Sequence, residues 1–190
     1  MTDLDHATIE QAFQELGDRL RRQQRVGDIA VYGGAAMILH FGINRVTHDV
    51  DAVIETEHGP VQQAVREIGR IHGWGESWLN ESVSVYLAQA ARLDDISLFR
   101  SYPTEGMIGL RVFVANPRYM LAMKLAALRT GTGQRDKDDV LVLARATSLT
   151  TAEQLIALHK TYYPSDPLDA RKLVIIGEIA ELLNASPDTA

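Results

Sequence analysis

The pattern of apolar and polar positions divides the first part of the chain into alternating helices and strands. Between Ala7 and Gln24 apolar residues recur at the spacing of one helix face, which predicts an amphipathic helix. The apolar run DIAVY, residues 28–32, predicts a buried strand. Gly33-Gly34 interrupts that strand, and AAMILHF, residues 35–41, predicts a helix that starts at the glycines. The pattern therefore indicates a strand, a glycine turn and a helix in succession.

Further strands and one more helix follow. Residues His48 to Ile54 alternate as a second strand, and Gly59-Pro60 opens a predicted helix from Val61 to Ile71. Segment 77–90, SWLNESVSVYLAQA, leaves helix and strand both open, because its β-branched residues favour a strand and its alanines a helix. Two more strands are predicted, Leu93 to Phe99 and Leu110 to Ala115, with the turn signal PTEG between them.

From Asn116-Pro117 onward the pattern is helical throughout. It predicts four helices, at 118–129, 137–146, 151–162 and 168–183. We therefore predict an α/β (α+β) fold, in which a small mixed sheet flanked by helices precedes a C-terminal helical bundle. The expected domains are an α/β core with its N-terminal helix, residues 1–115, and a helical region packed on it, residues 116–190.

Composition narrows the class of protein. With 46% hydrophobic and 23% charged residues the chain has the composition of a folded globular protein. The sequence has no cysteine, which excludes disulfides and thiolate metal sites, and its net charge of −6 argues against a general nucleic-acid-coating surface. The first residues are acidic and polar, unlike a signal peptide, and no apolar stretch is long enough to span a bilayer. We expect a cytoplasmic protein that does not bind membranes.

Two aspartates on the second predicted strand are the first candidates for chemistry. Alternate residues of a strand project from one face, with Cα atoms about 6.5–7 Å apart, so Asp49 and Asp51 are expected to point the same way. Their carboxylates would repel each other without a cation, and hard divalent ions such as Mg²⁺ take oxygen ligands of this kind. The alternative is that both are solvated surface residues.

The glycine pair is the second candidate. Backbone at Gly33 and Gly34 can approach a ligand closely, and the helix that follows presents unpaired N–H groups and its positive dipole end, which suits a triphosphate. The alternative is a simple tight turn. About fifteen residues separate Gly34 from Asp49, enough for a helix and a return to a neighbouring strand.

Taken together, Gly33-Gly34-Ala35-Ala36 and the segment RVTHDVD, residues 45–51, resemble the nucleotidyltransferase superfamily. The resemblance is to its small bacterial members of the AbiEii-like and minimal-nucleotidyltransferase, toxin–antitoxin type. It extends over roughly residues 28–146 through WLNESV (78–83), NPRYMLAMKLAALR (116–129) and RDKDDVLVLA (135–144). The resemblance implies that Asp49 and Asp51 hold Mg²⁺ or Mn²⁺, that Gly33 and Gly34 hold phosphates, and that Arg45 and Thr47 contribute to nucleotide binding.

Four further residues are candidates for the same site. Lys124 is the only charge between Tyr119 and Leu128, beside the apolar face of its helix; it either reaches solvent or pairs with a triphosphate or an aspartate. Asp95 is expected to supply a third carboxylate from the start of a strand, where alternation admits only one of Asp94 and Asp95. Asp136 and Asp139 match an Asp-x-x-Asp spacing of the family, or cap their helix.

The resemblance implies a metal-dependent transfer of a nucleoside monophosphate from an NTP to a hydroxyl of RNA, such as a tRNA end, or of a protein. It also implies a toxin or antitoxin as a cognate partner. One other interpretation is a non-catalytic binding partner or antitoxin subunit that keeps the fold, which a missing third carboxylate would favour. Another is a glycosyltransferase, which also uses Asp-x-Asp, but the short strand, Gly-Gly and helix ahead of the motif argue against it. The six histidines form neither an HxH nor an HExxH pair, so a zinc hydrolase has no support.

Overall fold

The computed structural model describes residues 3–128 and 134–185. Within them the chain has an α/β architecture, as predicted, with one mixed sheet of five strands. The strands are β1 (Gly27–Val31), β2 (Val50–Ile54), β3 (Leu79–Asn80), β4 (Ile96–Tyr102) and β5 (Leu110–Ala115). The helices are α1 (His6–Arg22), α2 (Gly33–Phe41), α3 (His58–His72), α4 (Pro117–Ala126), α5 (Gln134–Thr147), α6 (Ala152–Tyr162) and α7 (Ala170–Ala185).

The strands lie in the order β3-β2-β1-β5-β4, so β1 is central. It runs antiparallel to β2 and parallel to β5, while β3 is parallel to β2 and β4 antiparallel to β5. Because β1 is paired on both edges, its apolar run is wholly enclosed: Ile29, Ala30 and Val31 have no exposed surface. The sheet thereby places the end of β1 beside the start of β2, and the candidate site lies there.

The chain forms two compact units. The first contains the sheet and α1–α3, and consists of described residues 3–85 and 96–115. The second contains α4–α7, and consists of described residues 86–95, 116–128 and 134–185. One boundary between the units follows residue 115, and segment 86–95 belongs to the helical unit.

Helix α1 confirms the amphipathic pattern from which it was predicted. Asp5 caps it, since its side chain accepts the Thr8 N–H at 2.8 Å. The apolar positions of the predicted face are all fully buried, namely Ile9, Phe13, Leu16 and Leu20. Gly17 lies on the backbone of Tyr102, where a Cβ would come within 2.7 Å of the carbonyl carbon. The helix therefore packs closely against the end of β4.

The strand predicted from Leu93 begins later in the structure. Leu93–Asp95 form a 3₁₀ turn in place of the start of a strand, and β4 begins at Ile96. The carboxylate of Asp95 accepts the backbone N–H of Arg92 at 2.8 Å, which stabilises a turn at the point where a strand was expected. The segment left open between helix and strand forms the two-residue β3 and then a 3₁₀ helix, Ser82–Tyr86.

The predicted helices of the second unit are all present, with ends shifted by a few residues. Asn116 caps α4 by accepting the Tyr119 N–H, and Pro117 takes the first helical position. Thr151 and Gln154 form a reciprocal capping box at the start of α6. In the part of the chain that the structure describes, no helix combines the length and apolar character that crossing a membrane requires.

Candidate active site

The glycine pair joins the end of β1 to the start of α2. Tyr32, the residue before the pair, donates its backbone N–H to the Asp51 carbonyl at 2.8 Å, which ties this turn to β2. Gly33 has a φ of +60°, in the left-handed region that favours glycine. A Cβ at Gly33 would lie 2.6 Å from Asp51 Oδ2. The Asp51 carboxylate thus occupies the space that a side chain at position 33 would need.

Gly34 faces the loop that returns to β2. A Cβ at Gly34 would lie 3.0 Å from Thr47 Oγ1 and 3.9 Å from a guanidinium nitrogen, Nη2, of Arg45. The loop is fixed by a short antiparallel bridge in which Leu4 and Thr47 exchange backbone hydrogen bonds of 2.7 and 2.9 Å. The structure therefore brings together the glycine pair, Arg45, Thr47 and Asp51, and their part in nucleotide binding stays a prediction.

The two aspartates lie at the start of β2. The strand begins at Val50, two residues later than predicted, so Asp51 lies within it and Asp49 directly before it. Asp49 and Asp51 are both partly exposed, whereas Val50 and Ala52 have no exposed surface. This alternation places the carboxylates on the solvent side of the strand.

Asn80, on β3, is a site residue that the sequence analysis did not single out. Its register partner on β2 is Asp51, and its side-chain amide donates to Asp49 Oδ2 at 3.1 Å. Only the segment WLNESV, noted for its family resemblance, pointed to this position. A strand of two residues leaves too short a pattern to show which side chain faces the aspartates.

The remaining predicted residues belong to the helical unit. Lys124 forms a 2.7 Å ion pair with Asp139, whose side chain is only 3% exposed. Lys124 thus reaches an aspartate, and its part in catalysis and nucleotide binding stays a prediction. Asp136 is partly exposed in the first turn of α5, and Asp139 lies farther along the same helix.

Asp95 is almost fully buried and accepts three hydrogen bonds within the helical unit. The donors are the Arg92 N–H, the Asn116 side-chain amide at 3.2 Å and the Tyr162 hydroxyl at 2.6 Å. Burial, and then the hydrogen bond to Asp95, raise the pKa of Tyr162, so the hydroxyl remains a neutral donor. These contacts account for the burial of Asp95, and its assignment as a third catalytic carboxylate stays a prediction.

The donor set at the start of β2 fits a magnesium or manganese ion. Mg²⁺ is usually held by one or two carboxylates together with substrate phosphates and water. Asp49 and Asp51 supply the carboxylates, and Gly33 leaves open backbone beside one of them. Over residues 3–128 and 134–185, no group of three or more His, Cys, Asp or Glu side chains is arranged to hold a metal.

The comparisons with known proteins bear on this arrangement. No curated protein and no solved structure matches the chain significantly. One family model does match, and the matched residues, 7–176, include the glycine pair, both aspartates, Asn80 and Lys124. Since the match covers most of the chain, the protein belongs to the family described as "Nucleotidyltransferase of unknown function (DUF6036)".

Proposed function

We propose that the protein transfers a nucleoside monophosphate from an NTP to a hydroxyl group of RNA, such as a tRNA end, or of a protein. Membership of the nucleotidyltransferase family supports the general reaction. The observation that carries the proposal is the contact between Gly33 and Asp51, where a Cβ would lie 2.6 Å from the carboxylate oxygen. A turn suited to phosphates and an acidic strand suited to a cation thus adjoin each other.

The glycine turn would bind the triphosphate. The N-terminal end of α2 carries the positive end of the helix dipole and backbone N–H groups, both of which favour a bound anion. Arg45 would add a positive charge beside Gly34, and Thr47 a hydroxyl. These groups would hold the β- and γ-phosphates and orient the α-phosphate toward the acceptor.

Asp49 and Asp51 would hold Mg²⁺ or Mn²⁺. When bound, such an ion supplies positive charge to the α-phosphate and to the departing pyrophosphate. In the reaction, the acceptor oxygen forms a bond to the α-phosphorus, and the bond from that phosphorus to the bridging oxygen of the β-phosphate breaks. Pyrophosphate leaves with the electron pair, and the hydroxyl proton passes to solvent water.

The test is incubation of the protein with each of the four α-³²P-labelled NTPs, Mg²⁺ or Mn²⁺, and a cell extract. Transfer would leave label on a macromolecule, and digestion with ribonuclease or protease would show whether the acceptor is RNA or protein. Asp51→Asn is the matched control, because it keeps the side-chain shape and removes one charge. Label that is equally strong with Asp51→Asn would contradict the proposal.

A second candidate function is a nucleotide-binding subunit without transferase activity, acting as the partner of a toxin or an antitoxin. The observation that favours it is Asn80, since an amide lies opposite Asp51 where a third carboxylate would otherwise complete an acidic cluster. Metal-dependent NTP binding without label transfer would select this candidate. If the protein is instead a transferase, growth arrest on expression of the wild type but not of Asp51→Asn would support a role as a toxin.

A further inference from the structure

Asn80 has two hydrogen bonds that fix its side chain in one orientation. Its Oδ1 accepts the backbone N–H of Ser82 at 2.9 Å, and its Nδ2 donates to Asp49 Oδ2 at 3.1 Å. A backbone N–H is a donor and an ionised carboxylate is only an acceptor, so the two partners determine which end of the amide faces each of them. The N–H end of Asn80 therefore faces Asp49.

This bond restrains a residue that lies outside regular structure. Asp49 precedes the first residue of β2 and has no strand pairing of its own. The backbone next to it is fixed from the β3 side, where the Val50 N–H donates to the Trp78 carbonyl at 2.7 Å. Asn80 extends this attachment to the Asp49 side chain. Groups that orient a metal-binding carboxylate by a hydrogen bond commonly change metal affinity 10–100-fold when removed, on the order of a unit or two in log Kd.

The chemical nature of residue 80 also sets the charge of the site. An aspartate there would add a third negative charge beside Asp49 and Asp51, and a more highly charged oxygen cage binds a divalent ion more tightly. With an amide at position 80, Asp49 and Asp51 are the two carboxylates beside it that attract the ion. Mg²⁺ held by two carboxylates relies on substrate phosphates for further ligands. The site is thus suited to an ion that arrives with a triphosphate.

We propose that Asn80 is a positioning residue, which orients Asp49 and limits the site to two carboxylates so that the divalent ion binds together with the nucleotide. The inference rests on the proposed function, because it assumes that Asp49 and Asp51 hold the ion. It adds a role for β3, and it specifies the ligand as the metal–nucleotide complex in place of the free ion.

The test compares Asn80→Asp and Asn80→Ala with the wild type by electron paramagnetic resonance titration of Mn²⁺, with and without an equimolar mixture of the four NTPs. Asn80→Asp retains an acceptor for the Ser82 N–H and adds a carboxylate, so Mn²⁺ alone should bind at least tenfold more tightly. Asn80→Ala loses the bond to Asp49, so the affinity for Mn²⁺ with NTPs should fall about 10–100-fold.

Gln23→Glu is the charge control. It adds one negative charge at the exposed C-terminal end of α1, whereas the other end of this 17-residue helix lies next to the bridge between Leu4 and Thr47. The helix length separates the two ends by about 25 Å. We expect Gln23→Glu to bind Mn²⁺ as the wild type does.

The direction of the change in Mn²⁺ affinity separates a positioning role from a purely structural role. Both Asn80 variants lose the bond to Asp49, so a structural role alone would weaken Mn²⁺ binding in both. Opposite changes in Mn²⁺ affinity support positioning. An Asn80→Asp protein that binds free Mn²⁺ no more tightly than Gln23→Glu, or an Asn80→Ala protein with wild-type affinity for Mn²⁺ and NTPs, overturns the inference and leaves the proposed function standing. A wild type that binds Mn²⁺ in neither condition overturns both.

Discussion

Replacing Gly33 by alanine should separate the stability of the fold from the position of the Asp51 carboxylate. Gly33 and Gly42 have nearly the same positive φ, +60° and +59°. A Cβ at Gly42 meets nothing within 4 Å, whereas a Cβ at Gly33 lies 2.6 Å from Asp51 Oδ2. Gly42→Ala therefore imposes the same kind of backbone strain without the contact, and is the matched control.

The two substitutions should change the free energy of unfolding by similar amounts, but they should differ in their effect on metal and nucleotide binding. A left-handed conformation costs an ordinary residue about 1–2 kcal/mol, so each variant should lose roughly that much free energy of unfolding. For a chain of this size, this corresponds to a fall of about 2–8 °C in melting temperature. The contact at Gly33 is with the end of a side chain, which can rotate away, so the extra cost to stability should be small. The rotation displaces a proposed metal ligand, however, and should weaken binding of Mn²⁺ with NTPs about 10–100-fold.

The assay is urea unfolding of both variants, followed by titration with Mn²⁺ and the NTP mixture. We expect similar losses of stability in Gly33→Ala and Gly42→Ala, and a loss of metal–nucleotide affinity in Gly33→Ala alone. If the two variants bind metal and nucleotide equally well, the close approach of Gly33 to Asp51 has no part in ligand binding, and the observation that carries the proposed function would lose its meaning.

Three further predictions concern single residues. Asp49→Asn or Asp51→Asn should leave the metal-free melting temperature unchanged or raised, because a like charge is removed, and should abolish the stabilisation by Mg²⁺ and NTP; thermal melts with and without these ligands measure both effects. Lys124→Met should cost about 3–5 kcal/mol in urea unfolding, because it removes the ammonium partner of a buried carboxylate, and Lys124→Met with Asp139→Leu should recover much of this loss. Burial lowers the pKa of His159, so this histidine binds a proton less readily in the folded state than in the unfolded state. The contribution of His159 to the free energy of unfolding should be complete above the ordinary histidine pKa and fall as the pH decreases below it. The variant His159→Phe should reduce this pH dependence in thermal melts from pH 7.5 to 5.

Each of these predictions has an outcome that contradicts it. Ligand-induced stabilisation that survives in both aspartate variants would mean that the metal site is assigned to the wrong residues. A loss below about 1 kcal/mol for Lys124→Met would place this pair with the weak surface ion pairs. An unchanged pH profile in His159→Phe would mean that groups other than His159 cause the acid sensitivity.

The sequence predicts the elements of the first unit well where periodicity and turn residues agree. The enclosed run of β1, the glycine turn and the apolar face of α1 are local signals, and each predicted the element observed. The predicted start of β4 was wrong, because Leu93–Asp95 form a turn in which the Asp95 carboxylate accepts the backbone N–H of Arg92. Such a bond depends on the spatial position of the acceptor, which hydrophobic spacing does not encode.

The residues of the candidate site also divide into those that a local motif brings together and those that come together only through the fold. A short stretch of chain links five residues of the candidate site, so a motif with fixed spacing was sufficient to place them together. These residues are Gly33, Gly34, Arg45, Thr47 and Asp51. Asn80 comes from a separate strand and reaches Asp49 through sheet pairing, whose register cannot be read from the hydrophobic pattern. The Lys124–Asp139 pair required two helices to be packed, and the sequence offered several aspartates as partners.

The central place of β1 has a consequence for the order of synthesis and for shortened versions of the protein. All the proposed ligand-binding residues of the first unit lie before residue 86, but β1 acquires its second neighbour only when β5, Leu110–Ala115, has been made. A fragment that ends at residue 85 would carry the glycine pair, both aspartates and Asn80, yet would leave one edge of its buried strand β1 unpaired. Such an unpaired edge promotes association between chains. The smallest piece suited to ligand-binding studies must therefore include β5, and a nascent chain passes through an aggregation-prone stage until this strand is complete.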